Sequence, residues 1–480
     1  MLEVPMRLRS NLATVALLVF TSCRHEAAPP TPPPSTPVIP PSASAERSTQ
    51  PAGASPAPAG VSETNPVPAK PSFAHVPKDL PIGVSPLLYA LSVPADRAPT
   101  PEMAALGDKL FDDKRLSADG TVSCSTCHDP KLGFVDHKVT SEGVKKQHGT
   151  RNAPTVLNAM FNATQFWDGR AATLEDQAKL PILNPVEMGQ KSGDDVVAAV
   201  RKIPEYAAAF KKLFGRDVTY DDIAAAIAAF ERTQYAGDAP FDRFIQGDEK
   251  AIDAQAKRGW ALFNGKGRCN ECHAGNAVSP LFSDQKFHNI GIAAHQEGFP
   301  QLAREALDVV KSGNEKQVDE LALQTKFSEL GRFLVTKHTN DIGAFKTPTL
   351  RNVAVTAPYM HDGSMTTLWD VIDHYNKGGV PNPYLDGGMQ RLGFTEPEID
   401  DLVHFLETLT SPRYAALGKT EGAKQASLKG KRPQRDTAAA TGAKGDLGDV
   451  GASPDLRTKD PASEGVFGEY PQAGGNAHGH

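Results

Sequence analysis

The stretch GDKLFDDKRLSADGTVSCSTCH (107–128) ends in Cys-x-x-Cys-His, and a second stretch, GWALFNGKGRCNECH (259–273), ends the same way. Both open on a shared G-x-x-L-F element: Gly107 with Leu110 and Phe111, then Gly259 with Leu262 and Phe263. Two thiols at this spacing add to the vinyl groups of a haem, and the adjoining histidine is placed to bind its iron. A zinc or redox Cys-x-x-Cys is the competing reading, and duplication of the motif in a chain with an export signal argues against it. The repeat predicts an all-α fold of two cytochrome c-like domains, each with one covalently attached haem. Cys124, Cys127, Cys269 and Cys272 are the attachment points, and His128 and His273 the proximal iron ligands.

Five cysteines occur in 480 residues, so only Cys23 lies outside these motifs. Every other thiol is committed to haem, which leaves no pair for a structural disulfide. Cys23 follows Arg7, Arg9 and an apolar run from Leu12 to Phe20. That run has the length of a signal-peptide core and is too short to span a bilayer. Thr21-Ser22-Cys23 resembles a bacterial lipobox, with Phe20 where leucine is usual. The expectation is a signal peptide over 1–23, lipidation at Cys23 and a periplasmic protein tethered to the membrane. Residues 24–78 are rich in proline, alanine and serine and read as a disordered tether. The first haem domain is expected over 79–250 and the second over 251–412. The Gly/Ala/Lys/Asp-rich remainder, 413–480, is expected to be a disordered tail. A net charge of -6 gives no sign of nucleic-acid binding.

Helical spacing dominates the body. In TYDDIAAAIAAFERT (219–233), Thr219 is a candidate N-cap, and Ile223, Ile227 and Phe230 share a face. TEPEIDDLVHFLETL (395–409) opens on a capping box, Thr395 with Glu398, ahead of Ile399, Leu402, Val403, Leu406 and Leu409. No sustained alternation predicts a sheet as scaffold. Residues 297–330 are charged and helix-prone, and no role is assigned to them.

Two long segments add chemistry: GTRNAPTVLNAMFNATQFWDGRAATLEDQAKLPILNPVEMG (149–189) and FKTPTLRNVAVTAPYMHDGSMTTLWDVIDHYNKGG (345–379). Both resemble the bacterial di-haem cytochrome c peroxidase family, including its MauG-like branch, and the resemblance runs from about Leu106 to Thr410. It implies that the N-terminal haem reacts with hydrogen peroxide and the C-terminal haem receives electrons. It implies that Glu187 is the distal acid/base, that Gln177 and Pro181 line its pocket, and that Trp167 lies between the haems. It also implies a calcium ion between the domains, held by Asn152 and the carbonyls of Thr356 and Pro358. The residues agree with the chemistry. Splitting peroxide needs a base that moves a proton from one oxygen to the other, and Glu187 sits among Pro185, Val186 and Met188, an apolar setting.

Departures from the family pattern set the branch. Eight residues before Asn152, where reductively activated peroxidases carry a blocking histidine, stands Val144. Fourteen residues after His361, where they carry a methionine ligand, stands Tyr375, as in MauG-like members. Tyrosinate is a hard anionic donor that favours ferric iron. Met360, Met365 and His374 are the alternative ligands. Gly267 occupies the position of the tryptophan by which MauG oxidises its protein substrate, and Trp260 is no substitute for it. The resemblance therefore implies a peroxidase fed by a small cytochrome c or cupredoxin. A MauG-like oxidase of a protein substrate is the second reading. A non-catalytic di-haem electron carrier, with His148 or His137 blocking the first iron, is the third.

Overall fold

The computed structural model describes residues 75–275, 281–313 and 325–429. The expectations for the signal peptide, Cys23, nearly all of the tether and the tail beyond 429 lie outside the described residues.

Two helix pairs organise the rest. The Pro101–Asp112 helix starts on Thr100, whose hydroxyl accepts from the Met103 amide at 3.2 Å, with proline in its first turn. It buries Leu106, Gly107, Leu110 and Phe111 against the Tyr220–Glu231 helix. That partner opens on the expected N-cap, Thr219, and adds a capping box: Thr219 and Asp222 cap each other, and Arg216 grips the Asp222 carboxylate at 2.6 and 2.7 Å. In the second half, the Ala254–Asn264 helix packs on the Glu396–Glu407 helix, which opens on the Thr395/Glu398 box.

The shared G-x-x-L-F element has a geometric cause. A Cβ on Gly107 would lie 1.9 Å from the Ala226 carbonyl oxygen and 2.8 Å from the Phe230 Cβ. One on Gly259 would lie 2.0 Å from the Asp401 oxygen and 2.7 Å from the Phe405 Cβ. Each pair crosses backbone against side chain at a glycine, because no other residue permits that approach.

Among the described residues the only sheet is a pair of two-residue strands, Phe287–His288 and Phe345–Lys346, antiparallel with Phe287 opposite Lys346. The fold is all-α. The first core gathers Leu110, Phe111, Leu116, Phe134, Ile223, Ile227 and Phe230. The second is strongly aromatic, with Phe241, Trp260, Phe263, Phe282 and Phe405 within 4.8 to 6.5 Å of one another where their rings pair. Phe241 belongs to this second core although it precedes residue 251. A third cluster, around Phe299, Phe327, Phe333 and Phe345, draws on the charged segment that carried no assignment, and Trp167 packs against it.

The sequence reading starts the disordered tail at 413, and the structure corrects this. Ala415–Lys429 is a helix. Buried Tyr414 donates its hydroxyl proton to the Pro130 carbonyl at 3.0 Å. Gln425 donates to the Tyr359 hydroxyl at 3.0 Å and accepts from the Leu368 amide at 2.9 Å. This helix is held largely by polar contacts, so its Ala/Gly/Lys composition lacks the apolar period that would have announced it.

Candidate active site

Each Cys-x-x-Cys-His is presented by one tight turn. Cys124–Cys127 form a helical turn closed by the His128 amide on the Cys124 carbonyl at 2.9 Å. Cys269–Glu271 form a 3-10 turn closed by the His273 amide on the Cys269 carbonyl at 2.8 Å. All four cysteines are unpaired thiols. His128 Nδ1 lies 3.2 Å from the Phe134 carbonyl, and His273 Nδ1 lies 2.8 Å from the Phe282 carbonyl. A carbonyl at Nδ1 fixes the tautomer that leaves Nε2 as a lone-pair donor. Burial pushes both imidazoles below their usual pKa, which keeps them neutral. Both sites fit a covalently held haem.

Glu187 is positioned by the turn that ends the Leu174–Leu183 helix. Asn184 organises that turn: its carbonyl accepts from the Glu187 and Gly189 amides at 3.1 and 2.8 Å, and its Oδ1 accepts from the Val186 amide at 2.9 Å. Its Nδ2 then donates to Glu187 Oε1 at 2.8 Å. Burial raises the Glu187 pKa, while Arg170 and the Asn184 hydrogen bond oppose the rise. The carboxylate lies within electrostatic reach of both Cys124 and Cys127. Gln177 and Pro181 lie one turn apart on the preceding helix, and the Pro181 carbonyl accepts from the Met188 amide at 3.3 Å.

The loop before RNAP is tied to the same turn. Val144 is buried, and its amide donates to the Glu187 carbonyl at 2.9 Å. Gln147 Nε2 donates to the Pro185 carbonyl at 3.2 Å. A Cβ on Gly143 would lie 2.0 Å from the Val186 carbonyl oxygen, so glycine is required for this approach. His148 pairs in a bridge with Glu142, and its side chain is 56% exposed, 4.0 Å from the Glu142 carboxylate. His137 faces Glu421 at 3.8 Å. His137 Nε2 also lies 3.4 Å from the Leu132 carbonyl.

Between the halves, Trp167 donates Nε1–H to the Asn152 carbonyl at 2.9 Å, and its own carbonyl accepts from the Lys346 amide at 2.7 Å. The Asn152 amide donates to the His361 carbonyl at 2.8 Å, which stitches RNAP to PYMH. Asn152 Nδ2 is committed to the Lys138 carbonyl at 2.9 Å, so its Oδ1 is the end left for a cation. Among the described residues, the Thr356 and Pro358 carbonyls accept no backbone hydrogen bond. An oxygen-only, uncharged set of this kind fits calcium.

The sequence reading missed Glu329. It lies 2.7 Å from both Arg151 and His361, and His361 stacks on Phe345 with centroids 3.6 Å apart and planes 12° apart. Burial works against its charge, yet the His361 and Arg151 contacts hold its pKa down to about 2. One glutamate in a charged segment gives no local signal of this.

In the second half, Tyr375 lies on the Leu368–Asn376 helix, and burial and then Cys272 and Cys269 push its phenol above the usual range. Its phenol is thus within electrostatic reach of the second cysteine pair. Its neighbour His374 is turned to the Ile290 carbonyl at 2.8 Å. Met365 packs into the second core, and Met360 holds a turn at φ 74°. A Cβ at Gly267 would already lie 2.8 Å from the Leu262 carbonyl oxygen, and Trp260 is packed among Phe241, Phe263 and Phe405.

Residues 101–250 match the family model described as di-haem cytochrome c peroxidase. The chain is 41% identical over 322 residues to the methylamine utilization protein MauG of Methylorubrum extorquens, covering 66% of this chain and 81% of that one. It is 40% identical over 332 residues to the cytochrome-c peroxidase IdrP1 of Denitromonas iodatirespirans, covering 67% and 85%. Among solved structures it resembles a MauG-like protein associated with microbial copper homeostasis, with a TM-score of 0.55 and 32% identity over 67% of this chain and 95% of the other.

Proposed function

This chain belongs to the di-haem cytochrome c peroxidase family, and from that premise we propose how its own residues divide the work. It is an oxidoreductase that carries two c-type haems and reduces hydrogen peroxide to water at the first, with electrons relayed through the second. Held by Cys124, Cys127 and His128, the first haem would supply the Lewis-acidic, redox-active iron that peroxide reduction needs.

Glu187 is the group that moves the proton. Its Oε1 is fixed by Asn184, and its enclosed carboxyl accepts a proton from the inner peroxide oxygen and returns it to the outer one. The observation that supports this reading is the enclosed Glu187 carboxylate, held by Asn184 within electrostatic reach of Cys124 and Cys127, beside a buried Val144 and an exposed His148. Gln177 orients peroxide from the neighbouring helix. Trp167 bridges the halves for electrons. Tyr375 would bind the iron of the second haem together with His273, and Asn152, Thr356 and Pro358 would hold calcium. The location is periplasmic, with Cys23 as the lipid anchor, and the reductant is a small electron-donor protein.

Tyr375 favours one further reading, a MauG-like oxidase acting on a protein, because a tyrosine ligand favours oxidised iron. The packing at Gly267 opposes the specific route through a tryptophan there. Two measurements test the assignment. The resting ferric protein gives a high-spin electron paramagnetic resonance signal from one haem; two low-spin haems would mean a blocked first site. Glu187→Gln lowers the rate of reaction with peroxide by about 10²–10⁴-fold with both haems retained. Unchanged kinetics would remove Glu187 from the mechanism.

A further inference from the structure

Glu231 ends the Tyr220–Glu231 helix and is 5% exposed. Among the described residues its Oε2 is buried with no hydrogen-bond partner. Adjacent Arg232 does not meet it; that guanidinium grips Glu175 at 2.8 and 2.9 Å, and Arg97 stands 3.8 Å from the same carboxylate. Glu231 is also within electrostatic reach of Cys124, a haem-attachment residue. A buried polar group without a partner is costly, and a fold that needed only packing would use hydrocarbon there.

The second half does so. The glycine crossings place Phe405 where Phe230 stands, which makes Leu406, 7% exposed, the counterpart of Glu231. Glu407 then matches Arg232 and is met by His404 at 3.2 Å. The helix pair is sound with leucine at this position, so packing does not explain the glutamate.

We propose that Glu231 is the redox-linked proton site of the first half: its carboxylate takes up one proton from solvent as the haem held by Cys124 and Cys127 gains one electron, and releases it as the electron leaves. The electron comes from the reductant that the peroxidase consumes, an O–H bond is the only bond made or broken, and the net charge of the pocket is unchanged. Burial holds the carboxyl pKa up to about 8, with Arg232 opposing and Glu175 assisting. Arg232 on its own helix, Glu175 on the Leu174–Leu183 helix and Cys124 on the haem side are the titratable or charged groups that act on it; the Pro101–Asp112 helix presents Gly107 at the crossing. Ferric haem carries one more positive charge than ferrous, so it favours the carboxylate, and reduction favours the acid. Solvent reaches this end of the helix through a pocket of about 200 Å³ lined by His75, Tyr89, Arg232 and Tyr235.

The inference rests on haem attachment in the first half and is independent of Glu187. The test is a spectroelectrochemical titration of both haems in the holoprotein as a function of pH. The first-haem potential falls as pH rises, toward the one-electron limit of about 59 mV per tenfold change in proton concentration, while the second stays flat. Glu231→Gln and Glu231→Leu both flatten the first slope with both haems attached. Leucine is the residue that the second half already carries, which guards against a variant that fails to fold. A pH-independent first potential in the unmodified protein overturns the proposal without any variant. So does a slope that survives in both Glu231 variants, and one that disappears in Glu187→Gln alone assigns the proton to the distal carboxylate instead.

Discussion

Gly107 against Ala226 and Gly259 against Asp401 are the same helix crossing made twice, yet the surroundings of the two crossings differ in kind. Around the first stand two enclosed carboxyls, Glu187 and Glu231, whose pKa burial raises. Around the second stand Phe241, Trp260, Phe263, Phe282 and Phe405, with Leu406 in place of the glutamate. The first crossing leaves a buried carboxyl unpaired, whereas at the second Leu406 stands in its place and the neighbouring enclosed carboxyl, Glu407, is met by His404. Peroxide reduction consumes protons as well as electrons, whereas passing electrons onward does not, and the two halves divide along that line.

The largest effect that can break this comparison comes from the paired phenylalanines. Phe230→Ala or Phe405→Ala should each cost about 3–5 kcal/mol, read by denaturant titration with the two haem bands as separate reporters. If both bands shift together for either variant, the halves unfold as one unit. Next come the crossings: Gly107→Ala and Gly259→Ala should each cost about 1–3 kcal/mol as the helices are forced apart. Equal losses in thermal midpoint would support the equivalence of the pairs, and a silent variant would remove it.

Glu329 tests the join between the halves. Its folded pKa of about 2 lies below its ordinary value of 4.5, so its stabilisation is complete above 4.5 and is lost as pH falls toward 2. Glu329→Gln should flatten the acid limb of a plot of thermal midpoint against pH; an unchanged limb would show that the Arg151–Glu329–His361 contacts contribute no stability. The smallest effect belongs to the C-terminal helix: Gln425→Ala should cost about 0.5–1.5 kcal/mol, with peroxide turnover intact.

The sequence exposed what is periodic or covalent. Cys-x-x-Cys-His, the G-x-x-L-F elements, the Thr219 N-cap and the Thr395/Glu398 capping box are local patterns with local causes, and each was legible. Glu231 was half legible: it lies four residues after Ile227, on the buried face of a helix whose other members are apolar. Its missing partner and its counterpart Leu406 required the crossings. Glu329 was illegible because its meaning comes from Arg151 and His361, far away in the chain. The Ala415–Lys429 helix escaped because the groups that hold it, such as Tyr414 and Gln425, are single polar contacts without a repeat.

That last helix also has a place in time. Tyr414 and Gln425 leave the ribosome after Pro130, Tyr359 and Leu368, the residues they bind. The strap can therefore close only when both cysteine pairs and everything between them have been synthesised. A chain cut before residue 412 would keep both haem motifs and Glu187 and lose this closure, so the helix closes only over two haem-binding halves that have both been made.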